Sequence, residues 1–131
     1  MDRTTSFASR PVAPTGAASE DERGRARAWA DRLYAERRRR DAMFPDGLFG
    51  EPAWDLLLAL FTAREKGQSV ILCKAYRAAG VTDTTGRRLL DHMEEAGLIT
   101  RRRAPRSRKM RIVELTDAAA ERLIDYLARG L

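Results

Sequence analysis

Cysteine and histidine are almost absent from this sequence, which limits the chemistry it can perform. The 131 residues include one cysteine, Cys73, and one histidine, His92. A single cysteine excludes an intrachain disulfide and fits a reducing compartment. His92 has no partners at ligand spacing, which fits a surface or core position better than a metal site. With no phosphate-binding glycine loop, no nucleophile beside a base and no carboxylate pair with an evident cleft, the sequence predicts no catalytic residue, no metal, no cofactor and no enzyme activity.

Long apolar runs are missing as well. No run approaches the ~18 residues that a membrane span requires, and the N-terminus lacks the hydrophobic segment of a signal peptide. Residues 1–18 are rich in Thr, Ser, Ala and Pro and have few large apolar side chains. Burial therefore cannot offset the entropy of ordering them. We expect a cytoplasmic, nucleoid-associated protein with no membrane contact and a disordered tail over 1–18.

Acidic residues are missing from one segment in particular. The net charge is +6 and the pI is about 10.2, which favours polyanionic partners over neutral ones. Between positions 101 and 111 there are seven cations and no acid, namely Arg101, Arg102, Arg103, Arg106, Arg108, Lys109 and Arg111. Such clustering favours a nucleic-acid contact over a surface that is basic only for solubility.

Residues 19–47 are predicted to form one charged helix and a turn. Ser19 is a candidate N-cap, and acidic residues follow it in the first turn, where the helix dipole favours them. Trp29 and Leu33 give only a thin apolar stripe, so this helix should pack along the domain or along a second subunit. Its arginine run, 37–40, either flanks DNA or places cations at the C-terminal end of the helix dipole.

Residues 48–131 alternate between short helices and strands. Pro52 begins a helix whose Trp54, Leu57, Leu58 and Phe61 form one wide apolar face. The predicted elements that follow are a strand at 70–72, a helix at 74–79, a helix at 83–96 capped by Thr82, strands at 98–103 and 110–115 joined by a loop containing Pro105, and a last helix capped by Thr116. The order helix-helix-strand-helix-helix-strand-strand-helix predicts a mainly α protein with a small β-wing (α+β), a winged helix-turn-helix.

The helix at 83–96 has two different sides. Its inward side is expected to carry Gly86, Leu89, Leu90 and Met93, and its outward side Thr84, Arg87, Arg88 and Asp91. Small polar and arginine side chains at the start of such a helix suit a major groove, and the basic hairpin beside it suits phosphates. The alternative for Arg87 is a weak surface ion pair with Asp91. The alternative for Thr84 and Thr85 is helix capping.

Residues 70–116 resemble the winged helix-turn-helix of MarR-type transcriptional regulators. The residues that carry the resemblance are Ala79-Gly80-Val81, Thr84-Thr85, Arg88-Leu89-Leu90, Glu94-Glu95, Gly97-Leu98-Ile99 and Leu115-Thr116. The resemblance implies binding to double-stranded DNA as a homodimer, with Thr84, Thr85, Arg87 and Arg88 at the major groove. We expect that dimer to form through the N- and C-terminal helices, without a small-molecule effector because the flanking helices are short for the family.

Two residue patterns depart from that family. The wing of that family often carries an acidic residue together with an arginine, whereas the segment from Arg103 to Lys109 contains no acidic residue. Gly86 stands where the family usually has an apolar side chain, which weakens the helix by about 1 kcal/mol relative to alanine unless close packing on the preceding helix requires it. A sequence-specific DNA-binding regulator is the leading hypothesis. A winged-helix protein-interaction module without specific DNA binding is the alternative, and RNA binding ranks third.

Overall fold

The structure of the protein, a computed structural model, describes residues 18–44 and 50–129. Its elements are α1 (Glu20–Met43), α2 (Pro52–Glu65), β1 (Val70–Ile71), α3 (Leu72–Ala79), α4 (Asp83–Glu95), β2 (Ile99–Ala104), β3 (Ser107–Leu115) and α5 (Asp117–Ala128). Within the described ranges, no helix combines the length and apolarity needed to cross a membrane. The predicted tail, apart from Ala18, and the predicted turn at 45–47 lie outside the described residues.

Helix α1 begins where the sequence predicts, because Ser19 and Glu22 cap each other. The N–H of Glu22 donates to the Ser19 hydroxyl at 3.1 Å, and the N–H of Ser19 donates to the Glu22 carboxylate at 3.0 Å. The Ser19 N–H lowers the pKa of Glu22, since it stabilises the ionised form. Further along, the small side chains of Ala26 and Ala30 are fully buried where α1 packs on α5 and α2.

Two acidic residues of α2 hold α1, one near each end. Glu65, at the end of α2, contacts Arg23 and Arg27 near the start of α1 at 3.4 and 3.2 Å. Asp55, in the first turn of α2, contacts arginines near the C-terminal end of α1. Helix α1 therefore runs antiparallel to α2, and ion pairs supplement its small apolar stripe.

The Asp55 carboxylate is almost entirely buried and accepts hydrogen bonds from two arginines. One is the buried Arg37, and the other is Arg38, whose Nη2 lies 2.7 Å from Oδ2. Burying a charge costs several kcal/mol, which paired hydrogen bonds offset. The sequence interpretation of the arginine run did not include this packing role, in which Arg37 and Arg38 both reach the Asp55 carboxylate on α2. A contact of the run with DNA and an effect of its cations on the helix dipole stay predictions.

The helix-turn-helix is formed by α3 and α4 around a left-handed glycine. Gly80 has φ +71°, a conformation that glycine adopts without a steric penalty. The Thr82 hydroxyl then accepts from the Thr85 N–H at 3.3 Å and caps α4, as predicted. The prediction that Leu72 belongs to the preceding strand is wrong. The strand ends at Ile71, and Leu72 begins α3.

The wing is an antiparallel sheet in the order β1-β3-β2. Strand β3 begins at Ser107, three residues earlier than the sequence predicts, because its pairing with β2 continues to Ala104 opposite Ser107. The predicted long loop is consequently only a tight turn at 105–106. At the base of the hairpin, the Thr116 hydroxyl donates to the Gly97 carbonyl at 2.8 Å and accepts from the Ala119 N–H at 3.1 Å.

The core surrounds α2 more completely than its predicted single face implies. Leu58 and Phe61 are fully buried, and so is Leu56 on another side, whereas Trp54 and Leu57 are only partly buried. Helices α1, α3 and strand β3 pack against different sides of α2, which is why apolar positions outside the predicted face are also buried. The resulting architecture, mainly helical with a small three-stranded antiparallel sheet, is a winged helix-turn-helix of the α+β class.

Candidate nucleic-acid interface

The outward side of α4 consists of exposed polar and cationic side chains. Thr84, Thr85, Arg87 and Arg88 are all exposed. On the opposite side, Gly86, Leu90 and Met93 are buried, and Leu89 is half-buried. The predicted division of this helix into two sides is confirmed in terms of burial. Contact with DNA at these four outward positions remains a prediction.

Gly86 sets how closely α4 approaches α3. The ring of Tyr76, on α3, lies so close to the Gly86 α-carbon that a β-carbon at position 86 would overlap it. Gly86 itself is buried. The departure from the family pattern therefore has a packing reason, since the aromatic ring of Tyr76 takes the space that a side chain at position 86 would occupy.

Arg101, the first cation of the wing, is bound to α4. Its Nη2 donates to Asp91 Oδ1 at 2.7 Å, and its Nε donates to Glu94 Oε1 at 3.0 Å. Its side chain is only 20% exposed. The hydrogen bond to Asp91 is the main cause of a raised Arg101 pKa. The sequence treats Arg101 as one of seven equivalent phosphate contacts, but the structure gives it two carboxylate partners.

Arg102 has an acidic partner on the neighbouring strand. Its Nε donates to Glu114 Oε1 at 2.8 Å and its Nη2 to Oε2 at 3.3 Å. This bidentate hydrogen bonding to Glu114 raises the pKa of Arg102. The absence of acids between 101 and 111 is thus partly compensated by acids that precede and follow the segment.

The distal half of the wing carries cations without such partners. Arg103 and Arg111 are directly opposite each other on β2 and β3, so their side chains leave the same face of the sheet. Arg103, Arg106, Lys109 and Arg111 are exposed, and within the described residues none of these four has an ion-pair partner. The side chain of Arg108 lies outside the described residues. Like charges placed directly opposite each other destabilise a hairpin, which is a cost that an anionic partner removes.

Arg103 and Arg111 lie on the face of the wing that is turned toward α4. Side chains two residues apart on a strand share a face, and Ile99, Arg101 and Arg103 follow one another on β2 at that spacing. Ile99 is buried in the core, and Arg101 reaches α4. The same face continues to Arg103 and its partner Arg111. Arg103 and Arg111 therefore lie on the face of the wing that adjoins α4, the helix whose outward side is exposed.

The chain is similar to two solved structures at low sequence identity. It is similar to RV1404 from Mycobacterium tuberculosis, with a TM-score of 0.49 and 23% identity over 89% of this chain and 79% of that one. It is also similar to AbfR in a disulfide-formed state, with a TM-score of 0.46 and 19% identity over 81% and 70% of the two chains. No protein-family model matches the chain, and no curated protein matches its sequence. At these scores neither likeness carries an argument, and the function has to be argued from the side chains.

Sequence reasoning missed the acidic partners of the wing. It considered Asp91 as a partner for Arg87, whereas the structure pairs Asp91 with Arg101. A signal for this was present, because Ile99 is apolar and Arg101 follows it at strand spacing, which places Arg101 on the inward face. Glu114 was detectable in the same way only once the register of the two strands was known.

A second surface feature lies away from the wing. An open cleft of about 540 Å³ is bordered by α2, α5 and Leu98. Trp54 and Tyr126 meet there edge to face with their ring centroids 5.8 Å apart. The Tyr126 side chain is largely exposed, so this aromatic pair is an apolar surface that the described chain does not cover.

Proposed function

We propose that the protein is a sequence-specific, double-stranded DNA-binding transcriptional regulator of the MarR type, acting in the cytoplasm on the nucleoid. The observation that carries the proposal is the directly opposed pair Arg103 and Arg111 on the wing, exposed and without acidic partners within the described chain. Two exposed arginines at directly opposite strand positions suit the phosphates of a nucleic-acid backbone. The exposed polar side of α4, the helix beside that face of the wing, suits the edges of bases.

The division of labour follows from residue type. Arg88 and Arg87 can each pair with guanine O6 and N7, which is worth about 1–3 kcal/mol of discrimination per contact. Thr84 and Thr85, at the start of α4, are short enough to meet a base edge, a thymine methyl group or a phosphate. The distal wing cations contribute affinity that does not depend on sequence.

The direct test selects bound duplexes from a random pool and then measures the affinity for the selected site at several salt concentrations. We expect a defined motif and a strong inverse dependence on salt, because cations released from phosphates favour binding at low salt. Arg88→Ala should reduce the ratio of affinities for the selected and a scrambled site by about fivefold or more. An unchanged ratio of affinities for Arg88→Ala would show that Arg88 does not contribute to the choice of DNA sequence.

We further propose that the regulator binds as a homodimer through the region of α1 and α5. The exposed Tyr126 and the partly buried Trp54 support this, since α5 presents an aromatic surface that a second copy would bury. Solution sizing should give twice the chain mass, and the selected motif should be palindromic. A monomer that selects a single half-site would contradict the dimer while leaving DNA binding intact.

The same cleft favours the alternative function, a winged-helix module that binds a protein. An apolar cleft rimmed by Glu51 and Arg122 has the mixed character of a protein-protein contact. A measurement of duplex binding at low salt distinguishes the two functions. A chain that fails to bind any duplex at low salt, and that loses a defined protein partner on Trp54→Ala, would support the adaptor over the regulator.

A further inference from the structure

Arg101 differs from every other described cation of the wing in its surroundings. It projects from β2 toward the C-terminal half of α4, where Asp91 and Glu94 lie one turn apart. Its guanidinium bridges two carboxylates, because Nη2 donates to both Asp91 and Glu94 and Nε donates to Glu94 as well. This arrangement connects the helix that presents Arg87 and Arg88 to the strand that presents Arg103.

The charges around Arg101 make it a poor phosphate contact. One arginine shared between two carboxylates leaves that cluster with a net charge of about −1 at neutral pH. A phosphate approaching Arg101 would have to displace Asp91 and Glu94 and would then lie beside both. Arg103, two residues further on the same face of β2, is exposed and has no such acids among the described residues.

The geometry suits a positioning role. Asp91 lies one helical turn beyond Arg87 and Arg88 on the outward side of α4, and charge-assisted hydrogen bonds to a planar guanidinium are directional. Anchoring Asp91 and Glu94 to one side chain of β2 therefore restricts both the rotation of α4 about its axis and the angle at which the wing leaves it.

We propose that Arg101 is a positioning residue that fixes the recognition helix relative to the wing, and so sets sequence discrimination without neutralising a phosphate. This inference rests on the proposed function. With the angle fixed, the phosphate contacts of Arg103 and the base contacts of Arg88 are made in a single docking geometry. Without it, the wing can bind phosphates while α4 tilts in the groove, and base contacts are lost.

The test compares Arg101→Gln with Arg103→Gln, a matched control on the same strand and the same face. For Arg103→Gln, we expect the slope of log affinity against log salt to become shallower by about 0.9, with equal weakening for the selected and scrambled sites. For Arg101→Gln, we expect an unchanged slope and a loss of about fivefold or more in the ratio between the two sites, the size of one lost base contact.

A second variant keeps Arg101 but removes its partners. In Asp91→Asn with Glu94→Gln, a positioning role predicts the same loss of discrimination, even though fewer negative charges tighten binding to all sequences. A phosphate contact at Arg101 predicts tighter binding with discrimination retained. Thermal unfolding without DNA should also show that the effects of Arg101→Gln and Asp91→Asn are not additive, a readout that does not depend on DNA binding.

The outcomes separate the two proposals. If the wild-type chain binds no duplex, the proposed function fails, and the DNA role of Arg101 fails with it. If the wild type binds and Arg101→Gln changes the salt slope as Arg103→Gln does, Arg101 is a phosphate contact and only the positioning role is overturned. If Arg101→Gln changed neither the salt slope nor the ratio of affinities for the two sites, the positioning role would also be overturned.

Discussion

The ring of Tyr76 lies against the α-carbon of Gly86 and occupies the space that any side chain at position 86 would need. This contact sets the separation of α3 and α4, the two helices of the helix-turn-helix. Alanine forms helices better than glycine by about 1 kcal/mol, so helix propensity alone would favour a substitution here. Because the Tyr76 ring leaves no room for a β-carbon, we expect the opposite effect on stability.

Gly86→Ala should destabilise the protein, because overpacking of a buried contact costs about 1–3 kcal/mol and exceeds the gain in helix propensity. Denaturant unfolding of both proteins measures the difference. Replacing the ring as well, in Gly86→Ala with Tyr76→Leu, should recover part of the loss. A Gly86→Ala protein more stable than the wild type would show that Tyr76 moves aside at little cost.

Asp55→Asn should be among the most damaging substitutions in α2. It removes the closest carboxylate of the buried Arg37 and leaves only the more distant, exposed Glu51 at 3.9 Å, and breaking a buried ion pair typically costs about 3–5 kcal/mol. Glu36→Gln is the matched control, since Glu36 pairs with Arg39 at the exposed surface of α1, where a pair contributes about 0–1 kcal/mol. If the two substitutions shifted the midpoint of urea unfolding equally, the buried ion pairs of Asp55 with α1 would not stabilise the fold as proposed.

The capping box of α1 predicts a pH dependence. The Ser19 N–H lowers the pKa of Glu22 from its ordinary value of 4.5, so ionised Glu22 contributes stability that is present above that value and is lost as the pH falls through the lower folded-state pKa. Glu22→Gln keeps an acceptor but cannot ionise. The stability difference between wild type and Glu22→Gln should therefore shrink on acidification below pH 4.5. A difference that stays constant from neutral to acidic pH would contradict this.

Replacing both opposed arginines, in Arg103→Gln with Arg111→Gln, should change stability and binding in opposite directions. Removing like charges from directly opposite positions should stabilise the free protein by about 0.2–1 kcal/mol. The same change should weaken binding to every duplex and make the salt slope shallower by about 1.8, or 0.9 for each phosphate contact. Calorimetric unfolding and DNA titration measure the two effects separately. A less stable variant would show that the pair has a structural partner instead.

Much of the fold follows from local patterns in the sequence. The caps at Ser19, Thr82 and Thr116 are confirmed at the predicted positions, because capping depends on residues only three apart in the chain. The two sides of α4 also follow from helical periodicity. What lies beyond local patterns is the partner choice of charged residues. Arg37 and Asp55 meet only because two helices pack antiparallel, and Arg101 and Asp91 meet only because β2 returns along α4.

At the proposed DNA surface, too, residue types follow from the sequence, whereas the partners of the charged side chains do not. The sequence interpretation assigned Arg87 and Arg88 to the major groove and the seven wing cations, as one group, to phosphates. It treated the wing cations as equivalent. Strand spacing from Ile99 places Arg101 and Arg103 on the same inward face, so this spacing cannot distinguish one from the other. The distinction comes from tertiary neighbours: Arg101 lies beside two acids, and Arg103 lies beside Arg111.

The hydroxyl of Thr116 has a consequence for how such a protein can diversify. It bonds the Gly97 carbonyl at 2.8 Å on one side of the hairpin and caps α5 on the other, so the two ends of the wing are joined independently of its tip. The tip at 105–106 can then be lengthened, shortened or exchanged with that of a relative while the helices keep their places. Evolution, or an engineer, is thus free to retune the reach of this hairpin along a nucleic acid without rebuilding the domain that carries it.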